Sequence, residues 1–127
     1  MVLELFTICE GAFAKNGQLT IVNTVDSIIS KHFPLILNLG IAIKLKLSRE
    51  EYGKHNISLE IANSDGINIA PEMKVVPEVA SPNEFCNLVM STNIQGVRID
   101  KSGVYSVSLN IDGNAMAKAS LEIKGNE

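Results

Sequence analysis

The run Ser102-Gly103-Val104-Tyr105-Ser106-Val107-Ser108-Leu109-Asn110-Ile111-Asp112-Gly113-Asn114, with the arm that follows it to Ile123, decides the fold. Tyr105, Val107, Leu109 and Ile111 alternate with Val104, Ser106, Ser108 and Asn110. That period of two turns an apolar face inward and a polar face to water. The return arm repeats it, with Ala115, Ala117, Ala119, Leu121 and Ile123 alternating with Met116, Lys118, Ser120 and Glu122. Odd positions face inward on both arms, so the register must pair odd with odd. A two-residue Asp112-Gly113 loop would set Leu109 opposite Met116. A three-residue Asp112-Gly113-Asn114 loop sets Leu109 opposite Ala117 and is the expected connection.

Working outward, the same period recurs. Leu35, Leu37, Leu39, Ile41, Ile43, Leu45 and Leu47 form the longest expected strand, its other face running from Ile36, Asn38, Gly40 and Ala42 to Lys44 and Lys46. The first half of that outer face calls for a cover, either from the chain itself or from a second copy; the second half is wet. A first strand is expected from Val2 to Cys9, with Phe6 and Ile8 on one face and Leu3, Leu5 and Cys9 on the other. Asn16-Gly17 makes an early hairpin, and Pro34 an extended lead into the long strand. Ile57, Leu59 and Ile61 continue the code, and Asn63-Ser64-Asp65-Gly66 turns the chain into Ile67-Asn68-Ile69 as a further hairpin. Pro71 and Pro77 mark an edge strand or irregular crossover between Ala70 and Ala80. Cys86, Leu88, Met90, Thr92 and Ile94 form a late strand. Ser48-Arg49-Glu50-Glu51 and Ser81-Pro82-Asn83-Glu84 have capping-box spacing, each with room for a single turn.

The totals agree. Isoleucine and valine number 25 against 12 leucines and 9 alanines, an excess of β-branched residues that suits strands. The expected architecture is an all-β, immunoglobulin-like antiparallel sandwich of about 7 to 9 strands in a single domain, residues 1–127, with at most one-turn helices. A net charge of −3 spread along the chain offers no field for phosphate backbones, so no nucleic-acid partner is expected. The most apolar run, Leu35 to Leu47, contains Asn38, Lys44 and Lys46 and is too short to span a bilayer, so no membrane partner is expected either. Cys9 and Cys86 read as reduced core thiols. With no signal peptide visible, a cytoplasmic address follows, provided Met1 is the native start.

Gly53-Lys54-His55-Asn56-Ile57-Ser58-Leu59-Glu60-Ile61 matches Gly103-Val104-Tyr105-Ser106-Val107-Ser108-Leu109-Asn110-Ile111 at an offset of 50, sharing both glycines, the serine pair, the leucine pair and the final isoleucines. Each copy runs into an Asp-Gly turn. The echo is read as one way of starting a hairpin used twice, with a ring residue two places after the glycine anchoring it.

Val97-Arg98-Ile99-Asp100-Lys101-Ser102-Gly103-Val104-Tyr105 resembles the tyrosine corner of immunoglobulin-like sandwiches, in which a tyrosine hydroxyl bonds the backbone upstream. Val107 stands where antibody domains carry cysteine, and the chain has no tryptophan, which excludes the antibody type. A longer resemblance rests on Asn16-Gly17-Gln18-Leu19-Thr20-Ile21, Asp26 to Ile28, Phe33-Pro34, Gly53 to Ile61, Asp65-Gly66, and Gly103-Val104-Tyr105 to Gly113. The succession is similar to a family of small single-domain bacterial β-sandwich proteins grouped as a domain of unknown function. Gln18 replaces that family's lysine, and Val25 its aromatic residue. The resemblance implies the fold and transfers no activity and no site residues.

Chemistry is sparse. His32 and His55 are too few and wrongly spaced for zinc. His55 occupies the place of Tyr105 in the echo, which favours an anchor over a base. The thiols sit within strand patterns with nothing to lower their pKa. Asp26, Asp65, Asp100 and Asp112 fall singly at turns, where aspartate caps its own backbone, so no calcium site is assigned. No catalytic, metal or cofactor residue is assigned and no cofactor expected. The expected function is a non-enzymatic protein-binding or assembly module, self-association as a homodimer included. The alternative is a small-ligand carrier or enzyme with a pocket at one end of the sandwich near His55 and the loops after Leu47 and Asn93. A histidine, an aspartate and a thiol converging on a concave site would favour that alternative.

Overall fold

A computed structural model describes residues 1–125. The strands are β1 (Val2–Lys15), β2 (Gln18–Thr24), β3 (Ser27–Ser30), β4 (Leu35–Ser48), β5 (Gly53–Lys54), β6 (Ile57–Ala62), β7 (Met73–Val75), β8 (Glu78–Val79), β9 (Phe85–Ile99), β10 (Gly103–Ile111) and β11 (Asn114–Gly125). One 3-10 turn, Arg49–Glu51, follows β4 and is the only helical element among the described residues. The strands form a four-stranded sheet ordered β2-β1-β4-β9, a five-stranded sheet ordered β3-β11-β10-β6-β7, and a two-stranded ladder of β5 and β8. The class is all-β and immunoglobulin-like. The strands number 11 rather than 7 to 9, because β3, β5, β7 and β8 are pieces of two to four residues whose flanking prolines and turns hide any alternation. One pairing is parallel, β3 on β11.

Odd positions of β4, β6 and β10 meet in a shared core. Ile41, Leu45, Leu47, Ile61, Val107 and Leu109 are all but inaccessible to water. At roughly 25 cal/mol per Å² of apolar surface withdrawn from water, each such side chain contributes about 1.5–3 kcal/mol before entropy is counted. In the final hairpin Leu109 lies opposite Ala117, Val107 opposite Ala119 and Tyr105 opposite Leu121, so odd pairs with odd as expected. The device that achieves this differs from the expected one. The loop is Asp112-Gly113 alone, both residues at positive φ, and Ile111 faces Asn114. A β-bulge at Met116 restores the parity by placing one extra residue in β11.

Bulges account for other departures. In β1 the pairing with β4 skips Glu4, which swings Leu3 to the inner face beside Phe6 and Ile8, while Leu5 and Cys9 face out. In β9 the inner residues change from even (Met90, Ile94) to odd (Val97, Ile99) across Gln95-Gly96, with Gly96 at φ +73°. After β6, the Asn63–Gly66 turn forms as expected, Asn63 Oδ1 accepting from the amides of Asp65 and Ile67. The returning arm makes only a bridge at Asn68 before Pro71; β7 then completes the ladder. Ser81–Glu84 forms no helical turn. The carbonyls of Pro82, Asn83 and Glu84 are instead taken by Arg49 Nη2, the Tyr52 hydroxyl and the Arg49 amide.

The chain itself covers the middle of the outer face of β4, Gly40 and Ala42, and leaves Ile36 and Asn38 exposed. Beyond Cys9, where its pairing with β4 ends, β1 carries the β1–β2 hairpin to β9, where Asn93 stands in for a strand: its Oδ1 accepts from the Ala12 amide and its Nδ2 donates to the Ala12 carbonyl. Leu5, Leu19 and Ile21 close over Cys9, Ala12 and Ala42. Gly40 lies under this hairpin, where a Cβ would come within 2.8 Å of Gly11 Cα.

Candidate functional site

The echoed ring residues are corners at opposite ends of two neighbouring antiparallel strands, β6 and β10. Tyr105 donates its hydroxyl to the carbonyl of Lys101, four residues back, at 2.7 Å. His55 meets the carbonyl of Glu51, also four residues back, through Nε2. Both rings follow, by two positions, a glycine held at positive φ, Gly53 or Gly103. His55 has a further partner: Nδ1 lies 2.7 Å from Asp112 Oδ2, while Asp112 Oδ1 accepts from the Asn56 amide at 2.8 Å. The Asp112 carboxylate raises the His55 pKa, the Glu51 carbonyl adds to this, and burial opposes it. The Asp112 pKa is lowered in turn, first by His55 and then by the Asn56 amide. Glu51 is lowered to about 2, chiefly by the Met1 amino group and then by the Ser48 amide and hydroxyl. This is the first capping box, closed through the Glu51 carboxylate.

His55 and Asp112 therefore do converge, but on each other and on main-chain groups. No thiol joins them. Cys9 is buried beneath the β1–β2 hairpin, its thiol on the Gly11 carbonyl and its pKa raised by burial. Cys86 is likewise free, on β9. His32 lies exposed after β3, its amide and carbonyl both on Ser30 Oγ. Asp100 pairs with Arg98, and no group of three or more potential metal ligands occurs among the described residues.

An apolar concavity lies elsewhere. A cleft of about 560 Å³ opens where β7, the edge of one sheet, stands across from β9, the edge of the other. Ile43 and Met90 line it from the four-stranded sheet, and Ile57, Leu59 and Met73 from the other. Val75 and Val76 stand exposed at its mouth, and Pro77 closes one end. None of these groups titrates, so the cleft has apolar contact and two strand edges to offer and no acid, base or nucleophile. Of the two readings of residues 70–80, edge strand or irregular crossover, the edge strand is the one that forms, as β7. The legible signal was the unbroken Val75-Val76 pair beside prolines, an apolar edge on a segment with no period.

Two antiparallel-rich sheets packed face to face, with a tyrosine corner leading into β10, define an immunoglobulin-like sandwich. Residues 4–124 match a family described as "Family of unknown function (DUF6941)", and the chain belongs to that family. No curated protein matches the sequence. Among solved structures, the chain is similar to an immunoglobulin-like protein from Pseudomonas aeruginosa, at 16% identity over 92% of this chain and 91% of that one, with a TM-score of 0.43. It is also similar to an alkylpurine DNA glycosylase, AlkC, of Pseudomonas fluorescens, bound to DNA containing an abasic-site analogue. There the identity is 12% over 94% of this chain, with a TM-score of 0.45, and the chain spans 30% of the glycosylase's length. No helix among the described residues is long and apolar enough to cross a membrane.

Proposed function

We propose that the protein is a non-enzymatic binding module of bacterial cytoplasm that takes an extended segment of another protein along the free edge of β9, with alternate side chains in the cleft. The observation that carries this reading is the open core between two unpaired edges. Ile43, Leu59, Met73 and Met90 line a gap between two sheet-edge strands, β7 and β9, neither of which has a backbone-paired strand on its outer side. An added strand satisfies edge amides and carbonyls while its side chains, alternating in direction, fill the apolar gap. From Phe85 to Gly96, β9 carries no charge to repel such a strand. The saturated His55 supports the non-enzymatic part, and the two unpaired thiols accord with a reducing compartment. Gly40 and Ala42 are covered by the β1–β2 hairpin and Ile36 stays exposed, so self-association is proposed through the β9 edge rather than through the outer face of β4.

The test is an NMR titration with a short blocked peptide alternating threonine and valine, flanked by lysines. Saturable amide shifts confined to β9 and β7, abolished in Met90→Lys, support strand addition. Their absence, or their persistence in Met90→Lys, rejects it. A second reading, a carrier for a small apolar ligand, is favoured by the cleft's volume, which falls within the range of about 300–1,000 Å³ typical of small-molecule sites. Binding of an anilinonaphthalene sulfonate dye in the cleft without peptide binding would select that reading.

A further inference from the structure

The two corners are one device built from different chemistry. Tyr105 has a single side-chain polar atom with a single partner, the Lys101 carbonyl. His55 has two ring nitrogens, and both face oxygen acceptors, the Glu51 carbonyl and the Asp112 carboxylate. A neutral imidazole carries one N–H, so it serves one of these partners and turns a lone pair on the other. Only the imidazolium donates to both.

What the His55 corner fastens lies beside the cleft. Gly53 pairs with Val79 and Lys54 with Glu78, and the His55 amide donates to the Pro77 carbonyl at 3.1 Å. Residues 53–55 thus hold the segment 77–79, whose upstream neighbours Val75 and Val76 form the cleft's mouth. The charges around the ring are few. Asp112 faces it from the β10–β11 turn. Glu51 gives it a carbonyl while turning its carboxylate to Ser48 and the Met1 amino group, and Lys54 and Glu78 oppose each other across the ladder.

We propose that His55 is a proton-operated fastener for this strap, holding the β5–β8 ladder closed as imidazolium and loosening it, with the end of the cleft, when the proton leaves. The link to ligand uptake rests on the cleft being the binding site; the fastener itself does not.

The experiment follows the His55 Cε1–H resonance from pH 5 to 9 alongside hydrogen exchange of the His55 and Tyr105 amides, with no peptide present, so that its outcome is independent of the binding test. The His55 midpoint is expected above the ordinary value of about 6.5. Through that midpoint, protection of the His55 amide should fall at least tenfold beyond intrinsic base catalysis, while the Tyr105 amide keeps its protection. In Asp112→Asn, the carboxamide can turn an N–H toward a neutral ring, so the midpoint should drop and protection persist to higher pH. His55→Tyr should make protection independent of pH; if it fails to fold, Asp112→Asn still decides. A His55 midpoint at or below the ordinary value, or protection that does not change across it, overturns the proposal.

Discussion

At His55 one ring nitrogen answers to a main-chain carbonyl and the other to a carboxylate, which makes the corner's contribution to stability depend on pH. The folded-state pKa of His55 is raised, so its contribution is complete below about 6.5 and is lost as pH rises through the folded value. The folded-state pKa values of Asp112 and Glu51 are lowered, so their contributions are complete above the ordinary carboxylate range and are lost as pH falls, for Glu51 toward about 2. Thermal unfolding followed by circular dichroism should therefore give its highest midpoint between about pH 5 and 6.5. In Asp112→Asn the alkaline fall should shrink. The Tyr105 corner rests on one hydrogen bond. Tyr105→Phe leaves the Lys101 carbonyl without this donor and should cost about 1–2 kcal/mol, read from urea unfolding. Gly40 makes a third residue-scale prediction. The nearest atoms to an added methyl are the Gly11 backbone and the Cys9 sulfur, and the former cannot swing aside. Gly40→Ala should destabilise the protein by about 1–3 kcal/mol and weaken hydrogen-exchange protection of the β1–β2 hairpin before that of β10.

Among the elements, alternation made the long runs legible in the sequence: the odd faces of β4, β6 and β10 and the even face of β9 as far as Ile94. Parity alone could not reveal the bulges. A bulge inserts a residue that looks like any other, and its effect, an exchange of faces, shows only when strands are paired. Thus Leu3 reads as lying on the face opposite Phe6 and Ile8 and packs beside them, and a loop one residue longer and a bulge at Met116 explain the final hairpin's parity equally well. Gly96 is the exception that carries a mark, a glycine amid a strand pattern. Gly96→Ala forces a side chain into φ +73° and should cost about 1–2 kcal/mol in urea unfolding, with Val97 and Ile99 the residues whose packing is disturbed. The corners were legible because the echo aligned His55 with Tyr105, and the anchoring role followed. The Asp112 contact was not, since nothing local in residues 53–61 points to a turn half the chain away.

For the molecule as a whole, the sandwich follows from strands that each bury one face, but which strands end up at the edges depends on the order of pairing, and so does the cleft. Its floor consists of residues that read as ordinary core; only the absence of a covering strand beside β7 and β9 makes them a site. That order of pairing also governs how the protein is made. β11, the last strand, lies between β3, near the start of the chain, and β10. A chain halted after Ile111 should give a far-ultraviolet spectrum without the sheet signal of the full protein, because β3 then has no neighbour and β10 has lost one of its two. During synthesis, therefore, the five-stranded sheet cannot close before β11 has been made. Until β11 is in place, the apolar residues of β4 and β6 lack the completed sheet that buries them, and in that interval they are open to association with other chains.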